Sequence, residues 1–193
     1  PALVIKNLSM RIQNCVFENN RAAEYGGVTY IESGSPTFRN CLFTNNTAGS
    51  LGGAAYMAYA DSTFENCVFT TNDAGVDGGA LYARQDCITR VLNCTFFGNT
   101  AADNGGAFAL YDNCSPVIRN TIFWKNNAAD GEELYCGDGI GTGCTPAFYY
   151  TDVKGGVTGS RVVATGSSNV TDGGGNINAD PQFQDPADVD GAD

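Results

Sequence analysis

The sequence contains no histidine and few basic residues. Ten Lys and Arg face 21 Asp and Glu in 193 residues, a formal net charge of −11. Without histidine, the chain lacks the commonest general base and the commonest metal ligand. An acidic surface repels polyanions, so we expect no nucleic acid among its partners. No apolar run approaches the roughly twenty residues of a membrane-spanning helix, so we expect no membrane span.

The number of cysteines indicates the cellular compartment. There are eight, an even number, which favours disulfides and therefore an oxidising compartment. The alternative is a set of reduced, buried thiols. On the first interpretation, the chain is secreted or displayed at a cell surface.

An internal repeat of about 26 residues is the strongest pattern. Taking Cys15 as an anchor, its equivalents are 26, 26, 27 and 27 residues apart, and several columns around them hold one residue type. The anchor column is Cys15, Cys41, Cys67, Cys94 and Thr121. The residue before the anchor is Asn14, Asn40, Asn66, Asn93 and Asn120. Two residues after it stand Phe17, Phe43, Phe69, Phe96 and Phe123, and five after it stand Asn20, Asn46, Asn72, Asn99 and Asn126.

These repeats predict an all-β fold, a right-handed parallel β-helix of about five to seven coils. Short strand-like segments alternate with turn residues, and 26 residues suffice for one coil of three strands and three bends. Stacked coils turn each column into a ladder. We expect both Asn columns at bends, because Asn tolerates the left-handed conformation, and the Phe column inside. We also expect Tyr30, Tyr56 and Tyr82 to point inward.

The chain divides into three parts on this interpretation. Residues 1–11 are an N-terminal cap or a strand donated to a neighbour, and residues 12–135 are five β-helix repeats. Residues 136–193 form irregular coil and an Asp-rich tail. The motif Gly-Gly-Ala-x-Tyr, followed by Asn-Cys-x-Phe-x-x-Asn, resembles the repeats of chlamydial polymorphic outer-membrane proteins and of the pectate-lyase-like superfamily. This resemblance implies the β-helix fold, shared by adhesins, structural proteins and polysaccharide enzymes.

The sequence offers no assembled catalytic site, so we expect no enzyme activity. A glycoside hydrolase needs two carboxylates at a defined separation. The best candidates are Asp103 and Asp130, both nine residues after an anchor and thus expected on adjacent coils. They precede a Gly pair that reads Glu132-Glu133 in the fifth copy. We expect no cofactor; the only candidate is Ca²⁺ bound by the Asp-rich tail, at Asp172, Asp180, Asp185, Asp188, Asp190 and Asp193.

Two cysteine pairs fit disulfides. Cys87 and Cys114 each lie seven residues before an anchor, so they are expected to stack within the distance of a disulfide. Cys136 and Cys144 bracket a Gly-rich loop that a disulfide would restrain. The four cysteines of the anchor column could pair as two bonds or remain buried thiols. Among the N-glycosylation sequons, Asn45 and Asn169 are the candidate acceptors, whereas Asn93 is expected in an interior ladder.

The function predicted from these features is structural or adhesive. A rigid secreted or cell-surface β-helix could be a segment of a longer adhesin or a subunit of a filament. Its partners would be other copies stacked end to end, flanking domains of a larger parent, or glycans. The alternative from a different class is a module that binds or cleaves polysaccharides.

Overall fold

The computed structural model describes residues 1–139 and 142–182. It contains 24 strands, numbered in chain order and arranged in four parallel sheets. Sheet A consists of β1 (Leu3–Lys6), β5 (Thr29–Gly34), β9 (Ala55–Ala60), β13 (Leu81–Arg84), β17 (Phe108–Tyr111), β20 (Leu134–Gly137) and β23 (Val162–Ala164). Sheet B consists of β2 (Arg11–Gln13), β6 (Thr37–Arg39), β10 (Thr63–Glu65), β14 (Arg90–Leu92), β18 (Val117–Arg119), β21 (Ala147–Tyr149) and β24 (Thr171–Asp172).

The two remaining sheets complete each coil. Sheet C consists of β3 (Val16–Glu18), β7 (Leu42–Thr44), β11 (Val68–Thr70), β15 (Thr95–Phe97), β19 (Ile122–Trp124) and β22 (Asp152–Val153). Sheet D consists of β4 (Arg21–Ala22), β8 (Thr47–Ala48), β12 (Asp73–Ala74) and β16 (Thr100–Ala101). In the first four coils the chain visits A, B, C and D in turn, and in the described residues after β19 it visits A, B and C; strands pair with their equivalents in neighbouring coils. The predicted parallel β-helix is therefore confirmed, with four sheets instead of three strands per coil.

The Phe column fills the interior as predicted. Phe43, Phe69, Phe96 and Phe123 are fully buried, and neighbouring rings stack with centroids 4.6–4.7 Å apart. A second apolar column meets them edge-on from sheet B, as in the pair of Phe38 and Phe43 at 5.7 Å. Stacked and edge-on rings both satisfy the aromatic quadrupole, so the core is a continuous aromatic stack along the axis.

The two Asn columns both form ladders, but in different surroundings. Asn14, Asn40, Asn66, Asn93 and Asn120 all have φ between 49° and 55° and are exposed. The other column is buried from Asn46 to Asn126. The expected interior position of Asn93 is therefore wrong, because the left-handed bend turns its side chain outward.

Charged side chains end the buried Asn ladder after Asn126. In each step the side-chain oxygen of one Asn accepts bonds from the preceding coil, as Asn126 Oδ1 does from the backbone and side chain of Asn99 at 2.9 Å. Asn126 itself donates to Glu133 Oε2 at 2.6 Å, and Glu133 pairs with Arg161 at 3.0 Å. Arg161 also pairs with Glu132 and donates to the Asn126 carbonyl. Glu133 and its partner Arg161 thus terminate the ladder.

The Gly pairs are required by close backbone approach. Gly52 has a φ of +68°, and a Cβ on Gly53 would lie 2.1 Å from the carbonyl oxygen of Gly79 on the next coil. In the fifth coil, Gly131 takes the first position with a φ of +58°. The equivalent pair is therefore Gly131-Glu132 and not Glu132-Glu133, because the chain from Thr121 to this pair is one residue shorter than in the preceding repeats.

Candidate tyrosine face

The outer surface of sheet A carries a row of stacked tyrosines. Tyr30, Tyr56 and Tyr82 belong to a cluster separate from the main core, so their predicted inward orientation is wrong. Residues on either side of the bend before sheet A, such as Ala54 and Ala55, both face the core. Strict alternation is therefore lost at this bend, and Tyr56 points outward.

The row of rings extends along five coils. Centroid distances are 5.0 Å for Tyr30–Tyr56, 5.4 Å for Tyr56–Tyr82, 5.5 Å for Tyr82–Tyr111 and 5.7 Å for Tyr111–Tyr135. Tyr25 leans on Tyr56 from the side at 5.1 Å. We call this row the tyrosine face. Its central rings are packed so closely that Tyr56 and Tyr82 are only 6% and 7% exposed, and their ring faces are covered by their neighbours.

A second column lies beside the tyrosine face. It contains the residue immediately before each tight Gly turn, and successive members pair as isolated bridges: Tyr25, Leu51, Asp77, Asn104 and Asp130. Asp130 is thus opposite Asn104. The predicted shared column of Asp103 and Asp130 is wrong, because the fifth coil lacks one residue. Both aspartates are exposed, and the Asp130 N–H donates to the Asp103 carbonyl at 2.9 Å.

A polar network connects this column to the tyrosines. Asn104 donates from its backbone and side chain to Asp77 Oδ1 at 3.0 and 2.9 Å, and the Tyr111 hydroxyl donates to Asp77 Oδ2 at 3.1 Å. Asp77 is 7% exposed. Burial raises the pKa of the Asp77 carboxyl, although the bonds from Asn104 and Tyr111 oppose that rise. The carboxyl is a hydrogen-bond acceptor held inside a small, shielded cluster.

Arg84 is a cation within the tyrosine face, and Lys6 lies over its first ring, Tyr30, at 5.7 Å. The Nε of Arg84 is buried without a hydrogen-bond partner, and the nearest carboxylate oxygen, Asp112 Oδ2, is 3.8 Å away. The Arg84 side chain as a whole is 33% exposed. Burial raises the pKa of the Tyr56 and Tyr82 hydroxyls beside it. These phenols therefore stay protonated and act as hydrogen-bond donors, not as bases.

Sequence reasoning missed Arg84, Asp77, Asn104 and Tyr111 as a group. Two signals could have found them. Asp77 and Asn104 both directly precede a Gly pair, and Arg84 and Tyr111 both end their strands of sheet A. The chain turns at each Gly pair before it enters sheet A, and this turn brings these positions together in space.

The cysteines are all free thiols in this structure, so Cys87–Cys114 and Cys136–Cys144 stay predictions. Cys87 and Cys114 do stack on neighbouring coils, since the Ser115 N–H donates to the Cys87 carbonyl at 2.9 Å. The structure also brings Cys144 next to Cys114, whose N–H donates to Cys144 Sγ at 3.3 Å. This contact was not predicted.

The remaining predicted site residues are exposed or lie outside the residues that the structure describes. Asn45 and Asn169 are exposed, and Asn45 Oδ1 accepts a bond from the Thr71 hydroxyl at 2.7 Å. Asp172 and Asp180 accept backbone N–H bonds, whereas Asp185, Asp188, Asp190 and Asp193 lie outside the described residues. Among residues 1–139 and 142–182, no group of three or more cysteine and carboxylate side chains could hold a metal ion. The same ranges contain no helix long and apolar enough to cross a membrane.

The fold and its ladders define a right-handed parallel β-helix protein. The family described as right-handed β-helix region matches residues 1–178, and the chain belongs to that family. No curated protein and no solved structure matched the chain.

Proposed function

We propose that this chain is a rigid, non-enzymatic adhesive β-helix of a secreted or cell-surface protein, and that the tyrosine face binds glycans. Its repeats would then be of the kind found in chlamydial polymorphic outer-membrane proteins and other proteins of the pectate-lyase-like superfamily. The observation that carries the proposal is Arg84, a guanidinium beside tyrosine hydroxyls whose side chain is 33% exposed and whose ion pair to Asp112 is long, at 3.8 Å.

The chemistry of the tyrosine face suits a hydroxyl-rich, acidic ligand. Protonated tyrosine hydroxyls and the amide of Asn104 can exchange hydrogen bonds with sugar hydroxyls. Arg84 can pair with the carboxylate of a uronic or sialic acid, for which a planar guanidinium is well shaped. A face that extends over five coils would contact several sugar units in a row.

Binding without cleavage is the favoured form of this proposal. The two candidate acids, Asp103 and Asp130, lie in different columns, and Asp77 is engaged by Tyr111 and Asn104. We therefore expect no turnover of pectin, alginate or similar polysaccharides. Release of reducing or unsaturated ends that disappears in Asp103→Asn would instead favour a polysaccharide-degrading enzyme.

The experiment is a titration of the chain with matched neutral and uronic-acid oligosaccharides. Arg84→Gln removes the charge, and Arg39→Gln is the control, because Arg39 also pairs with an acid across coils, to Glu65 at 3.5 Å on sheet B. We expect Arg84→Gln to weaken the binding of the acidic oligosaccharide about tenfold, the effect of one charge-assisted hydrogen bond. Absence of binding to either oligosaccharide, or equal losses in the two variants, would refute the proposal.

A second proposal concerns the first coil. Ile12, Cys15 and Phe17 are partly exposed, whereas the following members of their columns, Phe38, Cys41 and Phe43, are buried. A further coil would cover these apolar groups and pair the open strand edges. We propose that it comes from a second copy stacked end to end or from the flanking domains of a larger parent. Sedimentation of the chain with and without residues 1–7 tests the first source: a truncated chain that associates as well as the full one argues against it.

A further inference from the structure

Three buried cysteines occupy one column in consecutive coils. Cys87, Cys114 and Cys144 are each fully buried. Backbone bonds link their coils, from Ser115 N to the Cys87 carbonyl at 2.9 Å and from Thr145 N to the Cys114 carbonyl at 3.0 Å. Neighbouring parallel strands place equivalent Cα atoms about 5 Å apart, within the range that a disulfide spans.

The anchor column gives a contrast. There each buried thiol donates to two backbone carbonyls, one in its own coil and one in the preceding coil. Cys67, for example, contacts the carbonyls of Glu65 at 3.4 Å and Phe38 at 3.5 Å. Cys94 does the same with Leu92 and Phe64. Each of these thiols has two carbonyl acceptors, although Cys67 and Cys94 also interact with each other.

In the second column, Cys114 lies between Cys87 and Cys144, whose thiols donate to the carbonyls of Arg84 at 3.1 Å and Gly137 at 3.7 Å. The Cys114 backbone N–H also donates to Cys144 Sγ at 3.3 Å, just as the Ala60 N–H donates to Cys87 Sγ at 3.3 Å one step earlier in the column. The three cysteines are thus neighbours in one column, so a thiolate at one end can attack a disulfide formed by the other two.

We infer that Cys114 and Cys144 form a disulfide that ties the irregular C-terminal coil to the repeats, and that Cys114 can exchange this bond with Cys87. The loop from Cys114 to Cys144 contains the turns of the fifth repeat, so the bond restrains the part of the chain where the regular ladders end.

The oxidant is a low-molecular-weight disulfide such as oxidised glutathione. The Cys144 thiolate attacks one of its sulfurs, forms a mixed disulfide and releases one small thiolate. The Cys114 thiolate then attacks the Cys144 sulfur, forms the Cys114–Cys144 bond and releases the second. The two protein protons end on the two small thiols, which have gained the two electrons. In the exchange step, the Cys87 thiolate attacks Cys114 and displaces Cys144 as a thiolate, with no net oxidation.

Hydrogen bonding supports these roles. The bond from Cys114 lowers the pKa of both Cys87 and Cys144, although burial opposes it. The pKa of Cys114 is raised, because its thiol interacts with Cys144 and Cys87 and is buried. The two outer cysteines are thus the better nucleophiles, and Cys114 is the shared partner between them.

The test is refolding of the reduced chain in a glutathione redox buffer. Free thiols are then trapped with N-ethylmaleimide, and disulfides are mapped by mass spectrometry of a non-reducing digest. We expect the wild-type chain to contain both Cys114–Cys144 and Cys87–Cys114. Cys87→Ser should contain only the first of these bonds and Cys144→Ser only the second. Cys136→Ser removes the competing pair with Cys144 and should raise the fraction of Cys114–Cys144.

Cys67→Ser in the anchor column is the control and should leave this pattern unchanged. The inference is overturned if Cys114 stays alkylated in Cys87→Ser, or if the wild-type chain contains Cys87–Cys114 and Cys136–Cys144 without any Cys114–Cys144. Should a variant fail to fold, the wild-type map alone still separates these outcomes.

Discussion

The two Asn ladders have the same residue type and the same spacing, yet one lies outside the β-helix and the other inside. In the outer ladder, Asn66 bonds one neighbour, Asn40, at 3.1 Å and holds a φ of 53°. In the inner ladder, Asn72 Oδ1 accepts two bonds from Asn46, and its Nδ2 donates to Asn99 and to the Phe43 carbonyl. The outer ladder holds a left-handed bend, while the inner ladder forms hydrogen bonds with buried backbone N–H and carbonyl groups. Identical columns in a repeat can thus have different energetic roles.

Phe69→Ala sets the scale for a change inside the stack. Phe69 is fully buried between Phe43 and Phe96. Removing the ring should lower the free energy of unfolding by about 3–5 kcal/mol through lost burial and a cavity. Val68→Ala, on the neighbouring exposed residue, should cost less than about 1 kcal/mol. Denaturant titration measures both, and similar losses in the two variants would place Phe69 outside the core.

Asn72→Ala should show the larger of the two Asn effects. It removes the acceptor of the Asn46 backbone N–H and of one of the two bonds from the Asn46 side chain in a buried place, which should cost about 2–4 kcal/mol. Asn66→Ala loses one exposed bond and places alanine in the left-handed region, about 1–1.5 kcal/mol in total. If chemical denaturation gives equal losses, the buried ladder is not the stronger one.

Glu133 tests how the inner ladder ends. Burial raises the pKa of its carboxyl above 4.5, although bonds from Asn126 and Arg161 oppose the rise. A carboxyl whose pKa is raised by folding stabilises most below the unfolded pKa, and that contribution is lost as pH rises through the folded pKa. The wild-type chain should therefore lose stability relative to Glu133→Gln as pH rises from about 4.5. Arg161 keeps Glu132 as a partner in this variant. A difference that is independent of pH, or of the opposite sign, would contradict the raised pKa.

Most of the fold could be predicted because each ladder is a column of one residue type. Phe17 to Phe123 and Asn20 to Asn126 mark the coil and its interior without any long-range information. Errors arose where the geometry of a bend decides the outcome. Ala54 and Ala55 both face the core, which reversed the expected orientation of Tyr56. The shortened fifth coil moved Asp130 opposite Asn104. Cys144 lies in the column of Cys114 but 30 residues after it, a spacing that the repeat of 26 or 27 residues does not predict.

Asn66→Gly is expected to have the smallest effect and separates the two contributions of the outer ladder. Glycine adopts a φ of 53° without the steric cost that alanine has, but it cannot donate to Asn40. If the left-handed bend is the main role of this column, Asn66→Gly should cost only about 0.5 kcal/mol, clearly less than Asn66→Ala. Thermal and denaturant unfolding of the two variants measure the difference. Equal losses for glycine and alanine would assign the stabilisation to the amide ladder, and the outer column would then differ from the inner one in degree and not in kind.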